Sequence, residues 1–384
     1  MLREFGFKNY YGFKEGLTIS FALDSNCPSH ISQGQPYSSI MGVKGANASG
    51  KTTVLRGISF IAQFATRSFV YEPDSAIPFS VHFESSEPCE LYAEFSINGL
   101  TYFYEVVLAD RSVVSEVLYR TKAKKIKIVE RRGNSLVHTT SEFEPLKVMH
   151  LRSNASFIST SRQYGIPGLE DVMEFFTGVV TNVNFTGHVY DGSNSPAVAE
   201  ELFQSAPKRR FVEEFIKSID VGVTEISIHE SVERDPADPS KVRKSYTPFF
   251  QHGEDFSQAI TWHTESNGTR ALFNRLPKLK RALDLGGLLV ADEFDLHLHP
   301  MILPKLLGLF TSSETNPHGA QLLFTTHDGD VLDFMGKYRC YLINKRDNES
   351  FGYRLDELPG DVLRNDRPVS PAYRLGKIGG LPRV

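Results

Sequence analysis

The chain has little cysteine. Cys27, Cys89 and Cys340 are scattered through 384 residues without C-x-x-C spacing. That argues against a disulfide framework or a zinc knuckle and fits a reducing cytosol. No apolar run approaches the roughly 20 residues that a membrane span needs. The N-terminal Met1-Leu2-Arg3-Glu4-Phe5 lacks the apolar core of a signal peptide. A cytoplasmic protein with no membrane segment is therefore expected. Nor is there an excess of positive charge. Forty-two Lys and Arg face 46 Asp and Glu, a net charge of −4, so any nucleic-acid contact would need a local basic patch. Internal repeats and long charged heptad runs are also missing, which excludes an inserted coiled-coil arm. What remains is 40% apolar and 23% charged, the balance of a globular chain long enough for one large domain or two ordinary ones.

Periodicity divides the chain. Phe5 to Phe21 alternates apolar and polar residues around Gly12 and suggests two short strands. Ser39 to Val43 reads as a buried strand entering a glycine loop, and Val54, Leu55, Ile58, Ile61 and Phe64 then recur at helical spacing. From about Phe79 to Val137 the pattern is antiparallel β, with Asn98-Gly99 as a hairpin signal and Gly133-Asn134 as another turn. Gly168 to about Ser218 reads as mostly helical, Val223 to Val232 as strand, and 235–240 as a turn-rich loop. Beyond Ala259, helix and strand alternate as in an α/β core.

The chemistry concentrates in a few motifs. Gly45-Ala46-Asn47-Ala48-Ser49-Gly50-Lys51-Thr52 has the form G-x-x-x-x-G-K-T in a strand–loop–helix context. Such a loop points backbone amides at the β- and γ-phosphates of a nucleotide, and the helix adds its positive end. Gly45, Asn47, Gly50, Lys51, Thr52 and Thr53 are the candidate nucleotide contacts, with Thr52 placed to ligate Mg²⁺. Leu288 to Val290 is an apolar strand that leads to Asp292 and Glu293. Asp292 is the candidate second magnesium ligand and Glu293 the candidate general base. Phe324-Thr325-Thr326-His327 ends another apolar strand, and His327 could hydrogen-bond a γ-phosphate. Glu265-Ser266-Asn267-Gly268-Thr269-Arg270 opens a helix and offers a hydroxyl and free amides to an anion. The histidines at 297 and 299 point to different faces in either a strand or a helix, which disfavours a zinc site. His299-Pro300 fits the start of a helix. Basic stretches at Lys122–Lys127, Arg131-Arg132 and Lys208–Arg210 fit a solvated face better than a nucleic-acid grip, since no aromatic interleaving is evident there.

In this order the motifs resemble the ABC-type ATPase heads of the SMC and RecF class. More closely, the chain resembles the AAA family ATPases of bacterial phage-defence operons, of the AbiL/RloA or PARIS-ATPase type. The residues that carry the likeness are the phosphate loop, Glu265–Thr269, Asp292 to Pro300, Thr325–His327 and the tail Tyr373–Pro382. The fold implied is an α/β, ABC-type P-loop NTPase head with an antiparallel β subdomain and a helical insertion. Its expected division is an N-terminal lobe with Walker A (1–78), a β insertion (79–140), a helical/β lid region (141–258) and a C-terminal lobe with signature, Walker B, D-loop and switch histidine (259–384). The resemblance implies ATP and Mg²⁺ as ligands and hydrolysis to ADP and phosphate. It also implies a pair of heads sandwiching two nucleotides, or a higher oligomer. Ser266 and Gly268 of one head would then meet the γ-phosphate on the other, and Asp295, at the D-loop position, would cross the interface. Ala48 and Asn267 stand where the family usually has glycine, Tyr11 stands nearest to an arginine of SMC-type relatives, and Gln163 is a weak match for a Q-loop glutamine.

The expected function is an ATPase that senses and regulates a separately encoded effector, a nuclease or toxin, in anti-phage defence, with a phage protein as a possible trigger. The 57 residues after His327 in this chain of 384 are too few for a nuclease domain. The alternative is an SMC/RecF-like ATPase acting directly on DNA, which the charge balance and missing coiled coil count against; direct DNA binding stays open.

Overall fold

A six-stranded sheet lies at the centre of the computed structural model, in the order Glu349–Arg354, Cys340–Arg346, Ile40–Gly45, Gln321–Thr325, Leu288–Ala291, Val179–Thr181. Neighbours run parallel except for the hairpin formed by the first two. Along each strand the side chains alternate between two hydrophobic clusters. Met41, Val43, Leu288, Val290, Leu323, Tyr341 and Ile343 join one, while Ile40, Leu289, Ala291, Leu322, Phe324, Cys340 and Leu342 join the other. A parallel sheet covered on both faces requires such continuous apolar runs. The structure describes residues 1–83, 85–148, 150–189, 195–220, 222–234, 242–254, 256–365 and 367–381, so the turn-rich loop 235–240 and Pro382 of the tail lie outside the described residues.

The helix Lys51–Arg67 packs against one face of this sheet. Val54, Leu55, Ile58, Ile61 and Phe64, the stripe expected from sequence, are fully buried. The helix also buries Phe60, Ala62 and Ala65, because a second sheet covers its other side. That sheet is antiparallel and seven-stranded: Leu17–Ser20, Leu2–Lys8, Cys89–Ile97, Leu100–Ala109, Ser112–Thr121, Lys125–Arg132 and Ser135–Thr139. The hairpin expected at Asn98-Gly99 is present, with φ of 50° and 76°, the left-handed pair that a two-residue turn of this twist demands. The β segment after residue 79 thus continues the pair of strands near the N-terminus rather than standing apart. Gln321 joins the two sheets: its side chain accepts from Leu2 N at 2.6 Å and donates to the carbonyls of Leu2 and Ser38 at 3.0 and 3.1 Å.

On the opposite face of the core sheet lie the helices Ala206–Lys217, Asn267–Leu285 and Leu303–Thr311, with a three-stranded antiparallel sheet of Glu225–Arg234, Val242–Gln251 and Ala259–Thr261. Two sequence readings gain detail from the structure. The stretch from Gly168 to Ser218 is mostly helical, as expected, but is interrupted by short strands. Helices Glu170–Thr177, Ser195–Gln204 and Ala206–Lys217 are present, but between them Val179–Thr181 forms the edge of the core sheet, followed by a small hairpin of Val183–Asn184 with Gly187–His188. Strands of two and three residues carry no readable period. The basic segment near residue 125 does face aromatics: Lys125 Nζ lies 4.2 Å from the Phe103 ring centroid and 4.7 Å from that of Tyr119. Tyr119 comes from the adjacent strand of the same hairpin and Phe103 from the strand beyond it, so the face is set by the sheet rather than by the basic segment alone. Among the described residues no helix is long and apolar enough to cross a membrane.

Candidate functional site

Three adjacent parallel strands end at one edge of the core sheet, and each carries a motif. Ile40–Gly45 feeds the glycine loop, Gln321–Thr325 leads to His327, and Leu288–Ala291 leads to Asp292. Ligands of open α/β sheets sit beyond the carboxyl ends of such strands. In the loop, a Cβ on Gly45 would stand 2.3 Å from the carbonyl oxygen of Ile343, so no side chain fits there. Gly50 caps the helix at φ 111°, which glycine alone adopts without strain. Asn47 is exposed at the loop tip and Ala48 sits at φ 60°. Lys51, Thr52 and Thr53 form the first helical turn. Lys51 is buried and donates to the carbonyls of Gly45 and Ala46 at 2.9 and 3.0 Å. Burial pulls its pKa below the ordinary lysine value, with Asp292, Glu293 and Asp295 opposing that pull.

Asp292 is almost fully buried and tied on all sides. Its Oδ2 accepts from Thr52 Oγ1 at 2.8 Å and its Oδ1 from Thr325 Oγ1 at 2.6 Å. Its main chain is gripped by the Asn182 side chain, which accepts from Asp292 N at 2.8 Å and donates to Asp292 O at 3.0 Å. The adjoining Thr52 hydroxyl and Asp292 carboxylate are hard oxygen donors of the kind Mg²⁺ takes. Together with the glycine cradle and Ser49 Oγ, which is buried without a hydrogen-bond partner, they fit a nucleotide–magnesium group. Glu293 occupies a left-handed φ of 50°, held there by its N–H donating to Thr325 Oγ1 at 2.7 Å. Its side chain is partly exposed and lies 3.5 Å from Nδ1 of His188.

His327 presents an exposed side chain from a gripped main chain. Asp295 Oδ2 accepts from the N–H groups of His327 and Asp328, each at 3.0 Å, and Lys44 Nζ donates to the carbonyl of His327 at 2.9 Å. Asp295 therefore holds the histidine segment of its own chain. Ser266 caps the helix Asn267–Leu285, its Oγ accepting from Thr269 N at 3.1 Å. A Cβ on Gly268 would stand 3.3 Å from the carbonyl of His297, so this helix start adjoins the turn after Asp295. Arg275 of the same helix donates to the carbonyls of Phe294 and Leu296 at 3.0 and 2.8 Å. Next to it, His299 caps the following helical turn, its Nδ1 accepting from Met301 N at 3.2 Å.

The structure leaves Gln163 out of this site. It ends the helix Phe157–Gln163, whose Ser159 holds Phe69 at the far end of the helix that begins with Lys51. Tyr11 stacks under the Arg56 guanidinium at 4.2 Å, beside the hairpin that carries His188. Sequence reasoning missed Asn182, His188, Lys44 and the hydroxyl of Thr325 as members of the cluster. Only Thr325 had a signal, as part of the Thr-Thr-His motif.

No curated protein matches the chain in sequence. Among solved structures, the SmcHead in a complex with the C-winged helix domain of ScpA superimposes with a TM-score of 0.47 at 14% identity, covering 93% of this chain and 98% of that one. Residues 40–333 match the family described as "AAA domain, putative AbiEii toxin, Type IV TA system", a span that takes in the glycine loop, Asp292, Glu293 and His327. With more than half of its length inside that match, the chain belongs to this family of AAA ATPase domains.

Proposed function

We propose that the chain binds ATP at residues 45–52 and hydrolyses it, and that a second copy completes the site. One observation supports this above the others: Asp292 is bonded both to Thr52 of the nucleotide loop helix and to Thr325 of the strand that carries His327. Lys51 would exchange its loop carbonyls for the β- and γ-phosphate oxygens, and the helix N-terminus would add N–H donors. Thr52 and Asp292 would hold Mg²⁺, which supplies charge neutralisation at the phosphates when bound. Glu293 would orient and deprotonate the attacking water. Its left-handed backbone, a strain of roughly 1–2 kcal/mol, is the kind of outlier that persists where function needs it. His327 would donate to the γ-phosphate. Ser266 and Gly268 would do the same from the partner copy, whereas Asp295, expected to cross between heads, would stay with the His327 segment of its own chain.

In this reading the nucleotide gates self-association, and the assembled state holds or releases a separately encoded effector of nuclease or toxin type. The test uses three variants. Lys51→Ala should abolish binding of a fluorescent ATP analogue, whereas Ser266→Ala should keep binding and lose turnover. Glu293→Gln with ATP should shift the protein to a dimer or larger species in size-exclusion chromatography and retain the product of an adjacent gene. Equal loss of binding in the Lys51 and Ser266 variants would sink the shared-site reading. Salt-sensitive binding of duplex DNA by the isolated protein would move the assignment to direct action on DNA.

A further inference from the structure

Lys44 is a buried lysine outside every motif, one residue before the glycine loop, and only 2% exposed. Burial lowers its pKa, while Cys340, Asp295 and Asp328 oppose the shift. An ammonium in such a place is costly unless it is matched. Here it donates to the carbonyl of His327 at 2.9 Å and stands 4.9 Å from the ring centroid of Tyr373. Tyr373 belongs to the Tyr-Arg-Leu-Gly-Lys-Ile-Gly-Gly-Leu tail, which the nucleotide reading does not use. That tail is bound firmly across the end of the core sheet. Tyr373 Oη donates to Gly380 O at 3.2 Å, Gly380 N to Asn344 Oδ1 at 2.8 Å, and Tyr353 Oη to Ile378 O at 2.7 Å. Arg374 pairs with Asp330, and Ser370 donates twice to Asp333, both just past the histidine.

We propose that Lys44 is a positioning residue for His327, and that the C-terminal tail sets it through Tyr373. Asp295 fixes the histidine's N–H and Lys44 its carbonyl, so the imidazole is presented from a clamped backbone. Because Lys44 lies on the strand that feeds the glycine loop, the clamp couples the loop to the histidine. Because Tyr373 covers the ammonium, displacement of the tail loosens the clamp. The proposal rests on the reading of His327 as a γ-phosphate contact, and the test separates the two.

ATP turnover and the affinity for a fluorescent ATP analogue are measured for His327→Ala, Lys44→Met, Lys44→Arg, Tyr373→Leu and the double variant Lys44→Met/His327→Ala. The loss of one hydrogen bond from a charged donor should lower kcat about tenfold in Lys44→Met, with affinity unchanged. Lys44→Arg should recover part of the rate, and Tyr373→Leu should lower kcat a few-fold, as the loss of a cation–π contact would. The double variant should be no slower than His327→Ala, since both changes remove one contact; a merely structural lysine would add its loss. Full turnover in Lys44→Met beside a slow His327→Ala overturns the clamp alone, as does a multiplicative loss in the double variant. Full turnover in His327→Ala overturns both readings. If Lys44→Met lacks a cooperative melt, Tyr373→Leu and its double variant with His327→Ala decide by the same criterion.

Discussion

Removal of the Glu116 charge should cost more stability than any other conservative change in the antiparallel sheet. Arg131 Nε lies 2.8 Å from Glu116 Oε2, and both side chains are 0% exposed. Glu116 also accepts from Tyr104 Oη at 2.7 Å, from Phe157 N at 3.1 Å and from Ser156 Oγ. Arg131 donates to the carbonyls of Arg152 and Ala155 at 3.1 and 2.7 Å. The pair therefore pins the segment 152–157 to the sheet. That segment in turn holds the far end of the nucleotide loop helix, through Ser156 N to Ser68 Oγ at 2.7 Å and Arg152 to Tyr71 O at 3.2 Å. Glu116→Gln keeps the shape and leaves a buried guanidinium unmatched. Breaking such a pair from one side costs about 3–5 kcal/mol, a large share of the roughly 5–15 kcal/mol that stabilises a typical protein. Arg131→Met should cost a similar amount. A Glu116→Leu single variant and Glu116→Leu/Arg131→Met, which removes both charges, close the cycle: the double loss should fall below the sum of the Glu116→Leu and Arg131→Met losses by about 2 kcal/mol or more. It will not reach zero, because Tyr104, Ser156 and Phe157 each lose an acceptor. Urea unfolding followed by far-UV circular dichroism measures all four variants. Single losses under about 1 kcal/mol, or strict additivity, would refute the argument that this pair is tightly coupled.

Asn182→Ala strips both partners from the Asp292 main chain and should lower kcat about tenfold or more, with a lower melting temperature; Asn182→Asp should not restore either, since the Asp292 carbonyl needs a donor. Ala48→Gly relieves a left-handed alanine worth about 1–2 kcal/mol and adds unfolded-chain freedom worth roughly 0.5–1 kcal/mol, so urea unfolding should show a change within about 1 kcal/mol and ATP binding should persist. A loss of binding in that variant would mean that the Ala48 side chain itself contributes. Burial pushes the Cys340 thiol up to about 12 and raises those of Cys27 and Cys89. The unfolded thiol, near 8.5, is largely ionised at pH 9 whereas the folded Cys340 is not. Ellman's reagent at pH 9 should therefore find Cys340 unreactive until denaturant is added, and a rapid native reaction there would contradict its burial.

How much of this was legible before the fold was known follows from the range of each interaction. The helix after the glycine loop could be read because Val54, Leu55, Ile58, Ile61 and Phe64 carry their own period, and burial of that stripe needs nothing beyond a covering sheet. The Asn98-Gly99 hairpin could be read because two left-handed residues and flanking alternation lie within one short stretch. Val179–Thr181 could not, since three residues hold no period and their strand identity comes from Leu288–Val290. The same holds for the couplings inside the site. Thr52 and Asp292 are 240 positions apart, Lys44 and His327 are 283 apart, and Asn182 and Asp292 are 110 apart. Each motif is local because a loop or a strand end must be built from consecutive residues. The bonds between motifs are set by strand order in one parallel sheet, which no single segment encodes. A helix that starts with Gly-Lys-Thr announces a phosphate site wherever it occurs. Only the placement of Gln321–Thr325 between Ile40–Gly45 and Leu288–Ala291 brings Thr325 to Asp292 and His327 to Lys44. A change in that strand order would leave every motif intact and abolish the site.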